Sequence, residues 1–242
     1  MDSPWSTAAT WTFRGAAAAT RTYERDRRRY EKDFNIAVCP CVSPWGYECV
    51  QRWNPACLDP NRHFVEDSRA EECAAVAKLV KELGIDQWCV HLDLHETTDS
   101  DATEFMPARA ARDGEVHEPE IIPDGFYLMG NKANPQLPWL QAIIDAVRGV
   151  THVAPADSDN SIMGLPCLGD GIIVSDSRGK GKGATNATYA VTTEVYGLRR
   201  PCFIVSRRRG SSFDESRRRR GKDVNRPLMN RGDAAAATWI LL

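Results

Sequence analysis

Trp88-Cys89-Val90-His91-Leu92-Asp93-Leu94-His95 is the stretch on which the fold turns. Trp88, Val90, Leu92 and Leu94 give one wholly apolar face, and Cys89, His91, Asp93 and His95 occupy the other. A period of two marks a strand packed against a core on one side. Upstream, Cys73, Val76, Val80 and Leu83 recur at helical spacing, and Gly84 supplies a left-handed stop. Ser68 and Glu71 spell the S-x-x-E capping box, which predicts a helix beginning at Ser68. Before it, Phe34-Asn35-Ile36-Ala37-Val38-Cys39 reads as a buried strand ending at Pro40. Strand, helix and strand in that order form a crossover unit and imply a parallel sheet.

Working outward, Glu96 to Asn134 reads as a long polar loop punctuated by Met106-Pro107, Pro119 and Pro123-Asp124-Gly125. A second helix is predicted from Pro138 to Arg148, with Leu140, Ile143, Ile144 and Val147 inward and Gly149 as its stop. Gly171–Val174, Tyr189–Tyr196 and Cys202–Val205 read as three further strands. The expected fold class is α/β, a mixed, largely parallel sheet flanked by helices. Residues 1–33 read as an extension without an apolar face, 34–206 as the foldable domain, and 207–242 as a basic low-complexity tail.

The 242 residues are 42% hydrophobic, which excludes a chain disordered throughout. No run approaches the ~18 apolar residues of a membrane span, so no membrane partner is expected. The net charge of −2 is polarised. From Arg207 onward there are 10 Lys/Arg and 4 Asp/Glu, leaving a body of 21 basic and 29 acidic residues. An acidic body has no general reason to bind nucleic acid, and the Arg217–Arg220 run reads as a solvated tail. The N-terminus lacks the basic start and apolar core of a secretory signal, so a cytoplasmic location is the default. Eight cysteines include no C-x-x-C pair. Cys73, Cys89 and Cys202 sit in apolar stretches, as small buried hydrophobes do.

Asp93-Leu94-His95-Glu96-Thr97-Thr98-Asp99 puts a histidine at the carboxyl end of a parallel strand, where α/β folds hold ligands. The surrounding acids, including Asp93, Glu96, Asp99, Asp101 and Glu104, suit a divalent cation or a shell that orients the imidazole.

Three further segments carry a family resemblance. Cys39-Pro40-Cys41-Val42-Ser43-Pro44-Trp45-Gly46-Tyr47-Glu48 resembles the Pro-x-x-Asn-Pro-x-Gly-Tyr stretch of the carboxypeptidase A-like zinc carboxypeptidases. Arg52-Trp53-Asn54-Pro55-Ala56-Cys57-Leu58-Asp59-Pro60-Asn61-Arg62-His63-Phe64 is similar to that family's Arg-x-Asn-x-x-Gly-x-Asp-Leu-Asn-Arg-x-Phe. Thr192-Thr193-Glu194 matches its Thr-x-Glu strand. With Asp-Leu-His, four landmarks stand in family order over about residues 34–206. The related succinylglutamate desuccinylase/aspartoacylase deacylases share the same core.

The resemblance implies a hydrolase removing C-terminal residues from peptides with one zinc ion as cofactor. By position, His95 matches a zinc ligand and Glu194 the general base that serves the metal-bound water. Arg52 matches the group that polarises the scissile carbonyl. Asn61 and Arg62 match the pair gripping the substrate's terminal carboxylate, a task suited to a bidentate fork. The substrate class is a peptide or, on the deacylase reading, a small acyl amino acid; a third reading is a non-catalytic remnant with a basic nucleic-acid-binding tail. The family's H-x-x-E zinc motif, which precedes Asn-Arg, has no counterpart, because the first histidine is His63. His63-Phe64-Val65-Glu66 spells the letters on the wrong side of Asn61-Arg62. Cys57 replaces the family's glycine and Pro60 its leucine. Relative to the family the chain reads as an internal portion, incomplete at both ends, with weak or absent zinc binding.

Overall fold

In a computed structural model of the chain, the described residues are 34–196, except 40, 50, 66, 96, 98–100, 118, 120 and 177–183, together with the backbone of 237–241. The central sheet has four strands: β2 (Val90–Leu94), β7 (Tyr189–Tyr196), β3 (Gly125–Asn131) and β6 (Ile172–Ser175), in that spatial order. β2 is parallel to β7 and β3 is parallel to β6, while β3 and β7 run antiparallel. This is the expected α/β class with a mixed, mostly parallel sheet. Beyond β2 the sheet continues through β8 (Ala237–Leu241) to β1 (Phe34–Val38), both in parallel pairings. β8 falls inside the stretch that reads as a tail.

Alternation along β2 and β7 separates an apolar face from a polar one. On the apolar face, Val191 and Leu128 pack with Leu140 and Ile144 of α4 (Leu137–Arg148) and with Ile172. Leu140 and Ile144 are fully buried, each worth about 1.5–3 kcal/mol of transfer free energy. Opposite, Tyr127, Met129 and Ile173 pack under Ile162 and Met163 of a small hairpin, β4 (Ser161–Ile162) and β5 (Leu165–Pro166). A third cluster joins Val76 and Val80 of α2 (Glu71–Glu82) to Trp88 and Ala187.

Several expectations are corrected. α2 begins at Glu71, not Ser68, and its N-cap, Ala70, makes no side-chain cap. The Ser68 hydroxyl instead donates to the Ala70 carbonyl and accepts from its amide, both at 3.2 Å. That local turn uses up the hydroxyl the capping box needs. The stretch 96–134 is not one loop. It contains a π-turn at Asp101–Phe105, α3 (Met106–Asp113) and all of β3. β3 escapes notice because Phe126–Met129 is only four apolar residues between turn signals at Pro123-Asp124-Gly125 and Asn134-Pro135, and a strand buried on both faces shows no alternation. Elsewhere, β1, β6 and α4 match their predicted positions within a residue or so, and β7 matches its bounds. Cys202–Val205 lies outside the described residues.

The start of the β2/β7 pair is clamped by Asn186. Its side-chain oxygen accepts from the Trp88 amide at 3.2 Å and its Nδ2 donates to the Asp86 carbonyl at 2.8 Å. Asn186 heads a glycosylation sequon, Asn186-Ala187-Thr188, yet its amide nitrogen is already committed to the backbone. Among the described residues no helix is long and apolar enough to cross a membrane.

Gly125 opens β3 at φ +133°, and a Cβ there would lie 2.6 Å from the Ala154 amide nitrogen. That close approach lets residues 152–154 bond Phe126 on both its amide and its carbonyl. Gly125→Ala is expected to cost about 3 kcal/mol, read as a lower urea midpoint at unchanged slope; an unchanged midpoint would disprove the constraint.

Candidate functional site

The polar face of β2 carries His91, Asp93 and His95, and the chain stays in the ladder beyond Leu94. The His95 amide donates to Thr193 and the Thr97 amide to Val195. With Asp93 opposite Thr192 in the register, the next residue on that face of β7 is Glu194, which therefore meets His95 and Thr97. His95 Nε2 lies 2.9 Å from Asp93 Oδ2. His95 Nδ1 stands 3.3 Å from Glu194 Oε1, an ion-pair contact whose direction is poor for a hydrogen bond. Thr97 Oγ1 donates to Glu194 Oε2 at 3.2 Å. All four side chains are buried, Glu194 to within 1% of complete.

Burial alone would push His95 down, but the Asp93 and Glu194 carboxylates, with the hydrogen bond to Asp93, outweigh it and hold the imidazole up at about 10. His91, two residues before Asp93, goes the other way. Burial drives it down to about 4, with only partial opposition from Asp93. Its Nδ1 lies 3.3 Å from Thr185 Oγ1, and its Nε2 has no hydrogen-bond partner among the described residues. One strand face thus carries two imidazoles with opposite charge preferences, set by how many carboxylates reach each.

A second polar group is built around Asp59. Arg52 is 2% exposed, and its Nε and Nη2 both donate to Asp59 Oδ2, at 3.1 and 2.9 Å. Its Nη1 reaches Asp101 Oδ1 at 3.4 Å. The other Asp59 oxygen accepts from the Asn61 amide at 3.0 Å, which caps the short 3-10 turn Pro60–Arg62. Burial opposes ionisation of Asp59, but Arg52 and Arg62, with the hydrogen bonds from Arg52 and the Asn61 amide, keep its carboxyl below the usual range. Asn61 is fully buried and Arg62 exposed. Trp53 packs edge-on against Phe105 at 5.8 Å, so neighbouring residues 52 and 53 both dock on the turn 101–105.

The predicted residues therefore gather in two groups. His95 and Glu194 are in contact, and Arg52, Asn61 and Arg62 share Asp59. The groups are tied by the chain itself, since Asp101 follows Thr97 by four residues, a span of at most about 14 Å. His63 belongs to the Asp59 group, with Nδ1 at 2.7 Å from the Asp59 carbonyl, and Glu66 lies outside the described residues. The sequence pattern gives no role to Asp59 or Thr97, and it places Asp101 among the acids suited to a cation or to orienting the imidazole, whereas its side chain meets Arg52. Of the first two, only Asp59 left a trace, as the acid ahead of a Pro-Asn-Arg turn, a natural cap position.

Zinc is the cofactor the resemblance implies, and the donors can be tested against it. The Asp93–His95 contact is the kind that orients a metal-ligating imidazole. The set is nonetheless too small: among the described residues no group of three or more His, Cys, Asp or Glu side chains is arranged to hold a metal ion. A catalytic zinc normally takes three protein ligands, and the described residues do not fit one. Among the described residues none of the seven cysteines is joined in a disulfide, and Cys73 is pushed up to about 12 chiefly by burial. No family model matches the chain, and no curated protein matches its sequence.

Two outcomes are expected. Arg52→Met leaves Asp59 and Asp101 buried without their cation and should cost about 3–5 kcal/mol in urea unfolding; a loss below about 1 kcal/mol would show the pair to be peripheral. His91 is neutral when folded but takes up a proton near pH 6.5 when unfolded. The unfolded chain therefore binds the extra proton between about pH 6.5 and about 4, and the unfolding free energy should fall as pH drops through that window. His91→Gln should flatten this slope; an unaltered slope would assign it to other groups.

Proposed function

We propose that the chain is a metallocarboxypeptidase-like α/β domain that engages the C-terminal end of a peptide, its hydrolytic role curtailed by a shortage of metal donors. The observation that carries this reading is the meeting of His95 and Glu194, 3.3 Å apart on parallel strands at the edge where α/β folds bind ligands. Two motifs almost a hundred residues apart in sequence supply that pair, and the resemblance gave both to one site.

The recognition half is supported by the turn at Pro60–Arg62. Asp59 holds the Asn61 amide and fixes the turn, while Arg62 stands exposed at its end. A guanidinium there is suited to a bidentate grip on a carboxylate. The hydrolytic half has less support. Glu194 has one oxygen against His95 and accepts from Thr97 on the other, so its role as general base requires those contacts to loosen. Arg52, the expected partner of the scissile carbonyl, is shared between two carboxylates.

The test is binding of a short peptide with a free C-terminus against its amidated form, with an N-acetyl amino acid as the small-substrate comparator. At least tenfold preference for the free carboxylate is expected, worth about 1.4 kcal/mol, and Arg62→Ala should abolish it while the chain stays folded, with only a small loss of melting temperature from the weaker support of Asp59. Equal binding of both peptides, or a preference that survives Arg62→Ala, would refute the reading.

A further inference from the structure

We infer that the Asp93–His95–Glu194 cluster is a metal-free bridge, in which the imidazole that would be a metal ligand in a zinc hydrolase instead spans two buried carboxylates directly. The argument starts from the donor count. Among the described residues this cluster offers one imidazole nitrogen and one carboxylate toward a shared point, and no third ligand joins them. The other imidazole nitrogen is spent on Asp93.

The second step is satisfaction. Buried carboxylates need hydrogen bonds or opposite charge, and here the chain supplies them. Asp93 and Glu194 both face the His95 ring, and Thr97 serves the second oxygen of Glu194. The third step is backbone support. The amides of His95 and Thr97 extend the β2/β7 ladder to Thr193 and Val195, so the cluster is seated on paired strands. Cross-strand contact between β2 and β7 is thereby completed by side chains at the end where a metal would otherwise cross-link them.

The experiment uses the full chain, purified without chelator, loaded with excess zinc and then desalted. Zinc well below one per chain is expected, with a melting temperature that neither rises with zinc nor falls with EDTA. His95→Asn should lower the midpoint by about 10 °C equally with and without zinc, and Asp93→Asn should lower it by less. One zinc retained per chain, or a zinc-dependent rise in midpoint that His95→Asn removes, would overturn the inference; uptake unaffected by His95→Asn is adventitious and supports it. The inference stands apart from peptide recognition: zinc bound at His95 would sink this proposal, and the shortage of metal donors with it, while leaving recognition of the free carboxylate standing, and loss of the free-carboxylate preference would sink recognition alone.

Discussion

Two carboxylates buried beside one another repel unless something positive or hydrogen-bonding is set between them, and at the end of β2 and β7 that something is the His95 ring. The register that pairs Asp93 with Thr192 puts Glu194 next on the same face, and the ladder running on through His95 and Thr97 holds it there. A slip of β7 by one residue would turn its side chains to the other face. It would drive Glu194 into the apolar layer under α4, away from His95, and lift Val191 out of that layer. The site and the core therefore enforce the same register from opposite sides of the sheet.

Asp59 plays the matching part in the loop region. One of its oxygens takes two donors from Arg52 and the other caps the turn bearing Asn61 and Arg62. Arg52 in turn reaches Asp101 across 49 residues of sequence. Such networks are worth most when every member is satisfied. The edge-on Trp53–Phe105 contact beside them adds an apolar tie to the turn that follows the site strand.

Much of this was legible in the chain. β2, β7 and α4 declare themselves because each shows one period over enough residues to be unambiguous. His95 and Glu194 were legible through short motifs that sit on those strands. β3 was not, since a strand flanked by β6 and β7 and covered on both faces has no polar face to alternate with. The start of α2 was misread because Ser68 has two local bonding options and the sequence pattern does not rank them. Asp101 was one acid in a run of acids, and what distinguishes it is a partner brought near only by the tertiary fold. His91 and His95 read alike in sequence, and only the number of carboxylates around each ring separates them.

The mixed sheet also has a temporal side. Leu128 pairs with Ile172 only 44 residues later, in the compact β3–α4–β6 crossover, whereas Asp93 waits 99 residues for Thr192. Closing the longer loop costs more entropy before any contact repays it. On a ribosome, Asp93 and His95 emerge together, long before Glu194. The ring and its first carboxylate must wait in water until β7 brings the second.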